Sequence, residues 1–135
     1  DMEKRIIRAI ENPYTTMLGH PTGRLLLSRD GYEVDMTTLI DEAAKHRVIM
    51  ELNASPYRLD IDWRHLKYAR EKGVLISINP DAHATAGLAD VFYGVGIARK
   101  GWQESKDVLN TRGVNDIKDT FKKLRDAKGH QDNNK

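Results

Sequence analysis

Three short runs rich in β-forming residues, each followed by a helical pattern, constrain this chain more than any other feature. The runs are Thr16-Met17-Leu18-Gly19, Val48-Ile49-Met50-Glu51-Leu52-Asn53, and Val74 to Ile78. Each is bounded by turn-forming residues and is too short to be a buried helix, so each reads as a strand. Between the first two, Met36, Leu39, Ile40, Ala43 and Ala44 recur at the spacing of one helical face. An earlier helix carries Ile6, Ile7 and Ile10 and is punctuated by Asn12-Pro13. Asp62 is placed to cap a helix bearing Trp63, Leu66 and Ala69, with Gly73 as its stop. Strands alternating with helices predict βα units, an α/β fold and a mostly parallel sheet. A very short strand at Val108-Leu109 would bring the count to four. Three or four strands cannot close a barrel. They form either an open sheet or part of a barrel.

Later segments are less regular. Pro21 to about Asp35 reads as a loop-rich insertion. Leu88, Val91, Val95 and Trp102 are predicted to share one helical stripe, although Gly94 and Gly96 each weaken a helix by ~1 kcal/mol relative to alanine. Val114, Ile117, Phe121 and Leu124 mark a last helix that ends near Ala127.

Composition narrows the setting. The 135 residues suit one domain with a real core. No apolar run approaches the ~20 residues that span a bilayer, so no membrane partner is expected. The absence of cysteine excludes a disulfide framework and any thiolate metal site, and makes the cytoplasm the expected location. A net charge of +2 neither requires nor forbids nucleic acid. The chain opens on a helical pattern without an initiator methionine, which reads as entry into a longer polypeptide. Its last residues, 129–135, contain no apolar side chain and are expected to be disordered.

In adjacent parallel strands, functional side chains gather where strands end and loops begin. His20 follows the first strand, Asn53 ends the second, and Asp81 and His83 follow the third. One carboxylate and two imidazoles are donors suited to Zn, Mn or Fe. Each residue alone also has an ordinary reading: a surface histidine for His20, and good turn chemistry for Asn79-Pro80-Asp81. Arg24 and Arg58 follow the first two strand ends. They suit bidentate phosphate binding, or ordinary ion pairs with Asp30, Asp60 or Asp62. Arg99, Lys100 and Trp102, and the run Lys118, Lys122, Lys123, Arg125 and Lys128, read either as a basic stripe for nucleic acid or as solvated helix faces. His46, His65 and His130 are expected to be solvated and structural. No Gly-x-Ser-x-Gly and no phosphate-binding P-loop occurs.

Several blocks go further. Asn12-Pro13-Tyr14, Leu18-Gly19-His20-Pro21-Thr22-Gly23-Arg24, the stretch from Glu51 to Asp60, and Asn79-Pro80-Asp81-Ala82-His83 resemble the later motifs of PHP-family metal-dependent phosphoesterases. The Gly-His-Pro-Thr-Gly-Arg block, the Pro-Tyr-Arg-Leu-Asp block and Tyr93 to Trp102 are similar to the PHP domain at the C-terminus of bacterial family X DNA polymerases. The resemblance covers nearly all of the chain except the tail.

It implies that residues 1–128 are the C-terminal portion of a PHP domain, a distorted (βα)7 barrel with a trinuclear metal site at the strand C-terminal ends. It also implies His20, Asp81 and His83 as ligands of Mn or Zn, up to three ions in the complete domain. Asp81 and His83 would act at the catalytic centre, with Arg24, Asn53 and Arg58 contacting substrate. The implied activity is 3′–5′ exonuclease-type hydrolysis of DNA phosphodiesters, with DNA 3′ ends and an upstream polymerase domain of the same chain as partners. The family's first His-x-His motif and its other early ligands have no counterpart here. Three ligands cannot assemble a three-metal cluster, so the chain alone is expected to be inactive and, with open sheet edges, to self-associate. Two alternatives stay open: a non-catalytic DNA-binding or scaffolding module, and a free-standing phosphatase acting on small phosphate esters.

Overall fold

The structure, a computed structural model, describes residues 1–129; all but Gly129 of the tail expected to be disordered, 129–135, lies outside the described residues, and His130 with it. The first helix, α1 (Met2–Glu11), starts at Asp1, whose side chain accepts the Glu3 amide, and it buries Ile6 and Ile10. After the Asn12-Pro13 turn the chain enters β1 (Met17–Leu18). Helix α2 (Met36–His46) is capped by Asp35 and buries Met36, Leu39, Ile40 and Ala43, most of the face that the spacing predicts. It ends on Arg47 in the left-handed conformation, which turns the chain directly into β2 (Ile49–Asn53).

Asp62 does cap, as expected. Its carboxylate accepts the Arg64 amide at the head of a short 3-10 turn, Trp63–His65, and α3 (Leu66–Glu71) follows. Gly73, at φ +75°, then reverses the chain toward β3 (Ile76–Asn79). A 3-10 segment over Thr85–Asp90 leads into α4 (Val91–Lys100), and α5 (Val114–Ala127) closes the fold.

The sheet is parallel, in the order β1-β2-β3, so β2 is central. Its register pairs Leu18 with Met50 on one side and Asn53 with Asn79 on the other. Central position explains the continuous burial of β2, in which only Glu51 is partly exposed. The expected strand at Val108-Leu109 is reduced to one parallel bridge between Val108 and Ile76, with 3-10 turns on either side. The core joins α1, α2 and α3 to the sheet through Ile10, Leu39, Ile40, Met50, Leu52, Leu66 and Ile76. At roughly 1.5–3 kcal/mol per fully buried aliphatic side chain, this cluster is the main source of stability.

One expectation differs from the structure. Leu88, Val91, Val95 and Trp102 are expected on one helical stripe, yet only Val91 and Val95 fall within α4, and the four are 60, 37, 37 and 69% exposed. The buried face of α4 is instead Gly94 and Ala98. A Cβ on Gly94 would stand 2.5 Å from Ile78 Cγ2 and 2.7 Å from Ala54 Cβ. The glycine lets the helix backbone lie directly on the ends of β2 and β3, a close approach invisible to a hydrophobic pattern. Helix α5 is also less covered than its pattern implies: Val114 is 68% exposed, and Ile117, Phe121 and Leu124 are only half-buried.

Candidate active site at the strand ends

The C-terminal ends of β1, β2 and β3 lie side by side, and a polar network ties them together. Glu51 is its centre. From the middle of β2, Glu51 Oε2 accepts the His20 backbone N–H at 2.7 Å, and Oε1 accepts Asn79 Nδ2 at 2.9 Å. A single carboxylate thus joins the loop after β1 to the last residue of β3.

Beside it sits the acidic end of the network. Asn53 Nδ2 donates to Asp81 Oδ2 at 3.2 Å, and Arg58 Nε lies 3.5 Å from the same oxygen. His83 Nδ1 is 2.7 Å from the Asp81 carbonyl oxygen. With a carbonyl as partner, Nδ1 carries the proton, which leaves the Nε2 lone pair free for a ligand role. Asp81 at φ 55° and His20 at φ 23° both take left-handed backbone conformations. For residues other than glycine these are sparsely populated and cluster at functional sites.

Of the six residues singled out in the sequence, Asn53, Arg58, Asp81 and His83 form one contact group. His20 joins through its backbone. Arg24 faces elsewhere: Nε donates to the Arg58 carbonyl at 2.9 Å, Nη2 to the Leu59 carbonyl, and Nη1 pairs with Asp62 at 3.3 Å. The ordinary ion pair is therefore what this structure shows for Arg24. Arg58 Nη1 returns a hydrogen bond to the Arg24 carbonyl at 3.2 Å, so the two arginine loops brace each other.

Asp60 completes that brace from below. It is fully buried, and its Oδ2 accepts Thr22 N, Thr22 Oγ1 and Gly23 N at 3.0, 2.9 and 3.1 Å. Burial pushes its carboxyl above the ordinary range, against those hydrogen bonds and the nearby Arg24. Asp62 is shifted the other way, held well below the usual carboxylate range by hydrogen bonds from Arg64 and Arg24.

Sequence reasoning left Glu51, Asp60 and Asn79 out of the site. The available signal was a charged residue in the middle of an otherwise apolar strand, which asks for a buried or half-buried partner. His20, Asp81 and His83 do not converge into one coordination sphere. Among the described residues, the histidine and carboxylate side chains whose donor atoms lie within 4.8 Å of one another are Glu11, Glu42 and His46, at the other end of α2. His46, expected to be solvated, is half-buried.

The two basic stripes differ. Lys100 lies over the Trp63 ring at 4.7 Å, which engages it within the fold. Lys118, Lys122 and Arg125 line a groove with Phe121, Thr16 and Met17 beside the exposed edge strand. Among the described residues no helix is long and apolar enough to cross a membrane.

No family model matches the chain. It is 46% identical, over 89% of its own length and 21% of the relative's, to the DNA polymerase/3'-5' exonuclease PolX of Bacillus subtilis (strain 168). A "Probable phosphatase" of Caldicellulosiruptor saccharolyticus is 29% identical over 66% of this chain and 37% of that protein. Another, from Thermoanaerobacter sp. (strain X514), is 27% identical over 88% of this chain and 48% of that protein. The chain thus spans from about a fifth to about half of the length of these curated relatives. With its parallel sheet and strand-end motifs, the chain is a homologue of a segment of a PolX polymerase/3'-5' exonuclease and fits a PHP-type domain fragment.

Proposed function

We propose that this chain supplies part of a metal-dependent phosphoesterase site that hydrolyses DNA phosphodiesters from 3′ ends, in a protein that also carries an upstream polymerase domain. The observation that carries the proposal is the grouping of Asp81, His83, Asn53 and Arg58 at adjacent parallel strand ends. In this reading residues 1–128 are the C-terminal portion of the PHP domain. The donor set fits a divalent ion such as Mn or Zn. His83 offers Nε2, Asp81 a carboxylate and His20 an imidazole one loop away, none of them a soft thiolate. A bound ion would supply an activated water and charge stabilisation at the phosphoryl oxygens. Asn53 orients the Asp81 carboxylate, and Arg58 is the guanidinium placed to meet a phosphate oxygen. Arg24 acts at one remove, by holding the Arg58 loop.

The three donors remain apart in the chain by itself, and the proposal includes that the chain alone is inactive. The test is a 3′-end degradation assay on single-stranded DNA with the whole protein and Mn²⁺. Asp81→Ala and His83→Ala should each reduce the rate by two orders of magnitude or more while the fold persists. Undiminished degradation by either variant would overturn the assignment.

A second reading, a phosphatase for small phosphate esters, is favoured by the relatives at 29 and 27% identity, which are probable phosphatases. Activity on a phosphate monoester without activity on DNA would select it.

A further inference from the structure

Away from the strand ends, α1 and α2 bring three ligand-type side chains together. Glu11 is the last residue of α1; Glu42 and His46 stand one turn apart near the end of α2. Glu42 Oε2 and His46 Nε2 lie 3.3 Å apart. Both atoms are closed off from solvent, and neither has a hydrogen-bond partner. The pair has the spacing of an i,i+4 ion pair and lies within reach of a long hydrogen bond, yet none forms, so the ring N–H is not directed at the carboxylate oxygen.

The distance has another meaning. Zn²⁺ binds imidazole nitrogen and carboxylate oxygen at about 2.0–2.1 Å, which makes the edge of its coordination tetrahedron roughly 3.3 Å. One carboxylate oxygen of Glu11 lies within 4.8 Å of a ligand atom of Glu42 and of His46, and the side chain is exposed at a helix end, free to close the remaining gap. The cleft lined by Glu11 and His46 has a volume of about 180 Å³, enough for an ion and its water.

From this geometry we infer a structural Zn²⁺ site held by Glu11, Glu42 and His46, with water as the fourth ligand. Its effect is to pin the end of α1 to the end of α2. A borderline ion fits better than Mg²⁺ or Ca²⁺, because one donor is imidazole. Lys45, Arg47 and Lys128 line the same cleft. Those cations weaken the site without occupying it. Lys45 Nζ is 3.9 Å from Glu42 Oε2 and mostly exposed, and Lys128 Nζ donates to the Thr15 carbonyl.

The site is independent of the strand-end reading, and the test separates the two. The 135-residue chain, stripped of metal, is titrated with ZnCl₂ while Tm and the histidine imidazole NMR signals are followed. Asp81→Ala serves as the strand-end control. Zn²⁺ should raise Tm and shift the His46 signals in the wild type and in Asp81→Ala alike. His46→Gln should lose one bound equivalent and the Tm rise, and Glu11→Gln, a change at an exposed position, should weaken binding at least tenfold. The inference is overturned if Zn²⁺ leaves the His46 signals in place, if Glu11→Gln responds as the wild type does, or if Asp81→Ala removes the Tm rise.

Discussion

Arg58 Nε stands 3.5 Å from Asp81 Oδ2, on the oxygen that also accepts Asn53 Nδ2. A guanidinium therefore competes with any cation for that carboxylate. Both side chains are partly exposed, so the contact is worth about 1 kcal/mol or less. Arg58→Gln is expected to tighten Mn²⁺ binding at Asp81 by up to about fivefold and to weaken binding of a phosphate-ester analogue. Calorimetry with each ligand checks both signs; weaker Mn²⁺ binding in the variant would mean that Arg58 organises the carboxylate rather than competing for it.

Glu51 offers a second test, because one side chain spans two strand ends. Glu51→Ala leaves the His20 amide and Asn79 Nδ2 without their acceptor. The expected loss is about 1–3 kcal/mol in urea unfolding, with faster amide exchange at His20. Glu51→Gln keeps one acceptor and should fall in between.

The two glycines inside α4 predict opposite outcomes. Gly94→Ala drives a Cβ into Ile78 and Ala54 and should destabilise by about 1–3 kcal/mol. A Cβ on Gly96 meets nothing within 4 Å, so Gly96→Ala should stabilise by up to about 1 kcal/mol through helix propensity. Thermal melts of the two variants decide it.

Asp62 and Asp60 predict pH effects of opposite sign. The Asp62 carboxyl is depressed by Arg64 and Arg24, so its contribution is present above the ordinary carboxylate value of about 3.9 and is lost as pH falls toward the folded-state value. Asp62→Asn should therefore lower stability at pH 6 and flatten the acid-induced loss. Asp60 is raised by burial, so stability drains away as pH climbs from the ordinary value through the raised one. Urea midpoints between pH 3 and pH 7 for the wild type and Asp60→Asn should show that slope removed in the variant.

Much of the architecture was readable in residue spacing. The face of α2, the Asp62 cap and the Gly73 stop are local matters of period and capping, and all three appear where the pattern places them. The strand ends were readable for the same reason: Asn53 and Asp81 each follow an apolar run and precede turn chemistry. The buried face of α4 was not legible because that helix packs through Gly94 and Ala98, and close packing by small residues leaves no hydrophobic signal. Glu51 and Asp60 were overlooked because their importance lies in partners 31 and 38 residues away.

By itself, the sequence determined the order of elements and the parallel sense of the sheet, because helical and strand periods and chain connectivity are properties of neighbouring residues. Only tertiary structure decided which arginine faces Asp81 and which braces a loop, since Arg24 and Arg58 have the same chemistry and similar positions after their strands. It also decided that Glu11 meets Glu42 and His46. Such choices are set by where packed helices and strands leave a charged group its nearest partner, a balance of burial and pairing that local sequence does not encode.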